Sequence, residues 1–472
     1  MIRKLIDSPA TYFILAGLLL LAAVLSQLRL ASGEDAPHGT VAEIESLAQR
    51  DDVNLIFILV DTLRADRLSA YGYPRQTSPN LDALAARGIR FASVEAQSSY
   101  TKASMGSLWT ARYPERSGIT LSSQAMPAEA TLPAELFKDA GYVTAGVWRN
   151  GWIASNFGFD QGFDFYYRPT PNESGKLIQR SSPSAERLQG TDLDITQSAI
   201  EFITAHRSDR FFLYLHYMDV HQYVYNDVSP PWGSGYSDIY DRAIHWTDQN
   251  LGLLVNTLYE EKLLGKTVIV IGSDHGEAFF EHGSEGHGTE LYGELLQVPL
   301  IIVPPFTLEE GVVVEEPVAN IDIWPTLLEI MGLPPVPGAE GRSLLPLLLD
   351  SDEDSESTGS LRARPLFAQL NRGWGKRRKT TDRLVSMLHD SHRFIFRENR
   401  PEESEAYDLS VDPGEQNNIL TAGDERSAAF QARVQEFLDV GPPTWGEPPV
   451  VEIDEMMRNQ LRALGYVTPR TN

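Results

Sequence analysis

The stretch NLIFILVD, residues 54–61, is an unbroken run of six apolar, β-favouring positions after Asn54, closed by an aspartate. A run without polar alternation suits a strand covered on both faces, as in a parallel sheet. Similar runs follow at 143–148 (VTAGVW), 211–216 (FFLYLH), 267–273 (TVIVIGS) and 299–303 (PLIIV). Between them lie helical patterns at 78–87, 132–139, 192–205, 236–264 and 322–331. Strand and helix alternate, which predicts an α/β fold with a mainly parallel sheet flanked by helices.

Ligands of open α/β sheets bind at the carboxyl ends of the strands. Polar groups gather at those ends here: Asp61 after the first run, Arg149 and Asn150 after the second, His216, Asp219 and His221 after the third, Asp274 and His275 after the fourth. Four such ends point to one shared site. A further candidate lies in SSYTKASMGSLWTARYP, residues 98–114, where Met105, Leu108 and Trp109 fall on one helix face and Thr101 marks the passage from loop to helix. Free N–H groups at a helix start favour an anion, and Lys102 adds a cation beside the hydroxyl. The plainer reading of such a threonine is an N-cap.

Asp61, Thr101, Asp274 and His275 together offer three oxygen donors and an imidazole. That set suits one divalent metal ion, Mn, Mg or Zn, with Ca less at ease beside a histidine. A metal at the threonine oxygen would make an alkoxide accessible at neutral pH. The electrophile would be a phosphoryl or sulfuryl centre, for which Lys102, Asn150, His221 and His287 are the available substrate-binding groups.

Composition narrows the partners. With 472 residues and a net charge of −25, the chain has room for a large α/β domain and an appendage, and no basic stripe for nucleic acid. It has no cysteine, so thiolate nucleophiles, thiolate metal sites and disulfides are excluded. Residues 1–33 read as a signal peptide or an uncleaved signal anchor, with Arg3 and Lys4 ahead of an apolar run from Tyr12 to Leu25. Both readings place the body outside the cytoplasmic membrane, periplasmic or anchored facing outwards, with any membrane contact through that segment alone. A polar linker is expected over 34–52, a catalytic domain over 53–349, an acidic mobile loop over 350–361 and a subdomain with a tail over 362–472. In the last part, 383–398 reads as a hairpin turning at HisAspSer, 406–409 as another short strand, and the tail ends in a short amphipathic helix.

Several motifs in order carry a resemblance: ValAspThrLeuArgAlaAspArgLeu at 60–68, ThrLysAlaSer at 101–104 with ThrAlaArgTyrPro at 110–114, GlySerAspHisGlyGlu at 272–277, GlyHisGly at 286–288, AsnIleAspIleTrpProThrLeu at 320–327 and AlaTyrAspLeuSerValAspProGlyGlu at 406–415. From residue 53 on, the chain resembles the sulfatase-like branch of the alkaline phosphatase superfamily. The resemblance implies one metal held by Asp61, Thr101, Asp274 and His275, residue 101 as nucleophile, and His221 and His287 near the leaving or non-bridging oxygens. Two departures stand out. Sulfatases of this family use formylglycine made from Cys or Ser, which Thr101 cannot form; direct attack by Thr is the route of the family's phosphodiesterases and phosphoglycerol or phosphoethanolamine transferases. The run 216–222 lacks a proline, and the spacing of Asp219 and His221 does not match the pair that holds a second zinc in two-metal members.

The expected activity is therefore hydrolysis or transfer at a phosphoester through a phosphothreonine. The alternatives are a sulfate ester hydrolase without formylglycine, and a metal-binding pseudoenzyme, which Met105 at the family's arginine position keeps open. The substrate is expected to be a phosphorylated or sulfated small molecule, glycan or lipid head group. Loops at 169–188 and 222–235, with Tyr223, Tyr225, Trp232 and Tyr236, either contact it or form a packed lid. For several groups a structural role is the simpler expectation: His216 bonded to Asp219, Arg149 paired with a carboxylate, Arg64 with Asp66, His245 within its helix and His282 in solvent.

Overall fold

The computed structural model describes residues 36–171, 177–179, 190–349, 355–371, 382–421, 425–439, 441 and 445–452. Residues 1–33, most of the 169–188 loop, the first part of the acidic stretch and the tail helix lie outside them. Among the described residues, no helix is long and apolar enough to cross a membrane.

The main sheet contains β1 (Asn54–Val60), β2 (Ile89–Phe91), β3 (Val143–Trp148), β4 (Phe165–Tyr167), β5 (Phe211–Tyr217), β6 (Thr267–Gly272), β7 (Leu300–Val303) and β8 (Val312–Val314). Their order is β8-β2-β7-β6-β1-β5-β3-β4. The pairs β6·β1, β1·β5, β5·β3, β3·β4 and β2·β8 are parallel, and β7 runs antiparallel to both β6 and β2. The connection from β6 to β7 holds only a one-turn helix, Gly293–Leu296, and the chain returns in the opposite direction.

Why the decisive run is unbroken is clear from its packing. All seven residues of β1 are buried. Leu55, Phe57 and Leu59 enter one core, whereas Ile56, Ile58 and Val60 enter the core on the other face. The first core is covered by α2 (Thr101–Thr110) and α6 (Ile323–Ile330), the second by α1 (Pro79–Ala85), α4 (Asp192–Ala205) and α5 (Tyr236–Glu260); α3 (Pro133–Asp139) joins the first through Phe137. Each fully buried aliphatic or aromatic side chain contributes about 1.5–3 kcal/mol. A sheet needing two such faces has no place for polar alternation.

The expected linker is not free chain. Val41–Gln49 winds as a 3₁₀ helix whose Ile44 and Leu47 are buried in the main core, three residues apart as that helix requires. Two isolated apolar residues among polar ones give little sequence signal. In the acidic stretch, Glu356–Arg362 is helical, with Ser355 accepting the Thr358 N–H as its cap.

The C-terminal subdomain is a four-stranded antiparallel sheet of β9 (Leu366–Asn371), β10 (Arg383–His389), β11 (His392–Arg397) and β12 (Glu405–Asp408), covered by α7 (Glu425–Leu438). The hairpin turns on Asp390 and Ser391, both at positive φ (48° and 59°), as a two-residue primed turn requires. Phe430, Val434 and Phe437 of α7 meet the sheet, Phe437 stacking on Phe367 at 3.9 Å.

Ion pairs join this subdomain to the body. Arg393, fully buried on β11, is bidentate to Glu95 (2.9 Å twice) and bonds Glu415 (2.5 Å), while Glu415 also accepts the Gly293 N–H. His282 bridges the Glu294 carboxylate (2.8 Å) and the Glu415 carbonyl (2.9 Å) rather than standing in solvent. Burial opposes its charge, but these two acceptors outweigh it and raise its pKa to about 9. The stabilisation is complete below the unfolded value near 6.5 and is lost as pH rises through about 9. His282→Gln is therefore expected to flatten the fall of melting temperature across that window; an unchanged profile would exclude the contribution.

Candidate active site

Thr101 opens α2 as its first helical residue, one position inside the cap, which is Tyr100 in extended conformation. The N-cap reading of Thr101 is thereby replaced: its Oγ1 lies 3.0 Å from His275 Nε2. The helix is buried along its whole length. A Cβ at Gly106 would come within 2.7 Å of Ile119 Cβ, so glycine is what lets the helix pack this closely. Ser104 donates to the Asp274 carbonyl (2.6 Å), tying the helix to the end of β6.

Asp61, at the end of β1, and Asp274 and His275, just past β6, are completely buried. One candidate ligand atom from each lies within 4.8 Å of the others. Asp274 Oδ1 accepts the Thr62 and His275 N–H groups, whereas its Oδ2 and Asp61 Oδ1 have no hydrogen-bond donor. His275 Nδ1–H donates to the Gly276 carbonyl (3.0 Å), which leaves Nε2 as a lone pair facing Thr101 and, at 3.3 Å, Asp274 Oδ2. Two orphaned carboxylate oxygens and an imidazole lone pair converge with no proton donor between the carboxylates. Such a buried concentration of acceptors fits a divalent cation, with Thr101 as an adjoining oxygen.

The flanking groups divide into two sets. His287 Nδ1 faces the buried Glu277 at 3.3 Å, and its ring lies 4.5 Å from that of His275 and 5.1 Å from that of His221. These imidazoles lie in one group with His275, whose Nε2 faces Thr101. Burial pushes His221 down to about 4. Burial also opposes the charge of Asp61, but the His221, His216 and His275 imidazoles hold it below the usual carboxylate range.

Lys102 and Asn150 differ from expectation. The Lys102 ammonium donates to the Ser122 carbonyl (2.6 Å) and lies 3.1 Å from the Phe157 ring centroid, and burial lowers its pKa strongly. A long side chain leaving the first helical turn is directed here by the apolar pocket of Trp152 and Phe157, not by the Thr101 hydroxyl. Asn150 donates to Asp61 Oδ2 (2.6 Å) and accepts the Trp152 N–H (2.9 Å), so it holds the Asp61 carboxylate rather than standing open to substrate. Met105 is buried in the first core.

Sequence reasoning missed His216 and Glu277 as site residues. His216 does not bond Asp219; its Nε2–H donates to Asp61 Oδ2 (3.0 Å), and Nδ1 accepts from Tyr214 (2.6 Å). The available signal was the parallel register that sets His216 beside Leu59, two residues before Asp61. Groups that orient metal ligands typically change affinity by about 10–100-fold when removed. His216→Phe is thus expected to weaken Mn²⁺ or Zn²⁺ binding about tenfold or more by calorimetric titration; equal affinity would show that Asp61 needs no such support.

The expected structural pairs hold for Arg149, which meets Asp219 and Asp192, and for Arg64, which meets Asp66 and also Glu281. His245 receives a Gln249 N–H on its own helix. The loop aromatics are packed: Tyr223 donates to the Tyr236 hydroxyl, Arg242 lies over Tyr225, and Arg75 over Trp232.

Residues 53–333 match the sulfatase family model, and 287–439 match the C-terminal model of N-sulphoglucosamine sulphohydrolase. The chain belongs to the sulfatase family. Within it, this sulfatase-family hydrolase is 26% identical over 352 residues to the ulvan-active sulfatase of Formosa agariphila, spanning 66% of this chain and 69% of that protein. It is 27% identical over 445 residues to bovine arylsulfatase A (Bos taurus), spanning 82% and 87%. Among solved structures, the phosphonate monoester hydrolase of Agrobacterium radiobacter shares the fold at a TM-score of 0.64 and 18% identity, over 82% of this chain and 94% of that one.

Proposed function

We propose that this sulfatase-family hydrolase is a metal-dependent phosphoester hydrolase or phosphotransferase with Thr101 as its nucleophile. The observation that carries the reading is the Thr101 hydroxyl, 3.0 Å from His275 Nε2 at the edge of the buried Asp61, Asp274, His275 cluster. Those three residues, with Thr101, would hold one divalent ion, Mn, Mg, Zn or Ca, which lowers the pKa of an adjoining hydroxyl.

The chain's own groups do the rest. The Thr101 oxygen attacks phosphorus, the bond to the leaving oxygen breaks, and a phosphothreonine remains. His221 and His287 stabilise the non-bridging and leaving oxygens, Glu277 orienting His287. Asn150 and His216 hold Asp61 in place. Water, or an acceptor hydroxyl, then takes the phosphoryl group and restores Thr101. Asp61, Asp274 and Thr101 being intact speaks for an enzyme over a binding protein. The substrate class is a phosphorylated or sulfated glycan, small molecule or lipid head group, and the reading of residues 1–33 as a signal peptide or signal anchor supports a body outside the cytoplasmic membrane.

A second reading, sulfate ester hydrolysis without formylglycine, is favoured by the names of the relatives, which include sulfatases of sulfated glycans. Metal-stripped protein, resupplied with each ion in turn, is expected to turn over aryl phosphodiesters faster than aryl sulfates, and acid-quenched turnover mixtures to contain a phosphorylated Thr101 peptide. Sulfate turnover exceeding phosphodiester turnover, with no modified peptide, would favour the second reading.

A further inference from the structure

Behind the site lies a buried charged cluster with no part in the steps above. Arg149, Asp192 and Asp219 are at most 1% exposed. Arg149 Nη1 donates to Asp219 Oδ1 (2.5 Å) and Asp192 Oδ1 (3.3 Å), and Nη2 to Gln222 Oε1 (2.6 Å). Asp192 accepts the Met218 and Asp219 N–H groups (2.6 and 3.1 Å) and the Thr247 hydroxyl (2.9 Å). Asp219 Oδ2 accepts the Asp192 N–H (2.8 Å) and the Trp246 indole N–H (2.7 Å).

The four elements that meet here are the end of β3, the turn after β5, the start of α4 and the middle of α5. Each of the first two also delivers a site residue. Arg149 immediately precedes Asn150, which holds Asp61, and Asp219 and Gln222 bracket His221 on one helical turn, Asp219–Gln222. That turn is only four residues long and ends at Tyr223 with φ of 55°, so it lacks the length to hold its own position. Burial and the facing charge of Asp219 push the Asp192 carboxyl upward, a cost the fold bears in order to keep the cluster dry.

We infer that Arg149, Asp192 and Asp219 are positioning residues that set the placement of Asn150 and His221 for the transition state. The inference rests on the phosphoester reading for its chemistry, and its geometry stands apart from it. The turn carrying His221 is held by side-chain bonds from three directions, and none of these bonds reaches Thr101, Asp274 or His275.

The test compares wild type with Asp219→Asn and Arg149→Lys, which keep shape while removing the charge balance or the forked geometry. Read-outs are kcat and KM on whichever ester the wild type turns over, the Kd of orthovanadate by calorimetry, and the melting temperature. Positioning predicts that kcat falls about 10–100-fold with KM within about threefold, and that orthovanadate binds about tenfold more weakly. A cluster serving stability alone would lower the melting temperature and leave both kcat and orthovanadate affinity at wild-type values, which overturns the inference. Trp246→Phe removes one donor to Asp219 and supplies a milder variant if the others do not fold; an unchanged kcat and orthovanadate affinity there overturns it as well. Wild type that turns over no ester defeats the phosphoester reading, and the orthovanadate arm still decides the positioning, because a wild type that binds no orthovanadate has no anion site to position.

Discussion

Thr101→Ala abolishes turnover, with kcat expected to fall about 10⁴-fold or more, while Thr101→Ser keeps activity within about 100-fold of wild type. On the proposed mechanism the alanine variant loses the attacking oxygen and one oxygen beside the Asp61, Asp274, His275 cluster at once. It leaves the helix intact, since alanine is at least as good a helix former as threonine and the cap is Tyr100, not Thr101, which is the first helical residue. Steady-state kinetics with saturating metal, alongside circular dichroism to confirm the fold, measures the effect. Serine restores the oxygen without the methyl group, which separates loss of the nucleophile from a packing change. Wild-type turnover in the alanine variant, on any ester, would remove Thr101 from the mechanism.

Arg393→Met is expected to cost about 3–5 kcal/mol of stability, the usual consequence of taking one partner from a buried ion cluster. Glu95 and Glu415, 2% exposed each, would remain as buried carboxylates without the guanidinium that pairs with both. Glu95 lies in the strand that leads to Thr101, and Glu415 also receives the Gly293 N–H from the body, so one guanidinium ties the subdomain to both. The variant should therefore loosen the subdomain against the body as well as lower the unfolding midpoint in urea. Adding Glu95→Gln to Arg393→Met removes one of the stranded charges and is expected to recover part of the loss. A single-variant cost below about 1 kcal/mol would show that the buried pairs do little more than offset their own desolvation.

Much of this was legible in the chain. The runs at 54–60 and 211–216 announce strands because burial on both faces leaves no room for polar alternation, and α4 spans Asp192–Ala205 as its pattern reads. Asp61, Asp274 and His275 announce themselves because they end such runs. Less was legible where a residue's role depends on its neighbour in space. Lys102 reads as a cation for substrate from its place beside Thr101, yet the Phe157 ring and the Ser122 carbonyl engage it. Asn150 reads as a substrate contact and instead holds Asp61. Ile44 and Leu47 look like incidental residues of a linker until the core receives them.

By itself the sequence determined the α/β class, the order of the elements, the helix that starts at Thr101 and the absence of any cysteine chemistry, since each depends on local pattern or on residue type alone. Only the tertiary structure decided that His216 supports Asp61, that Lys102 turns aside, and that Arg149 and Asp219 brace the residues around the site. Parallel register and loop packing bring together groups far apart along the chain, such as Asp61 and His216, 155 positions distant. Local propensity carries no record of which buried acceptor will meet which donor.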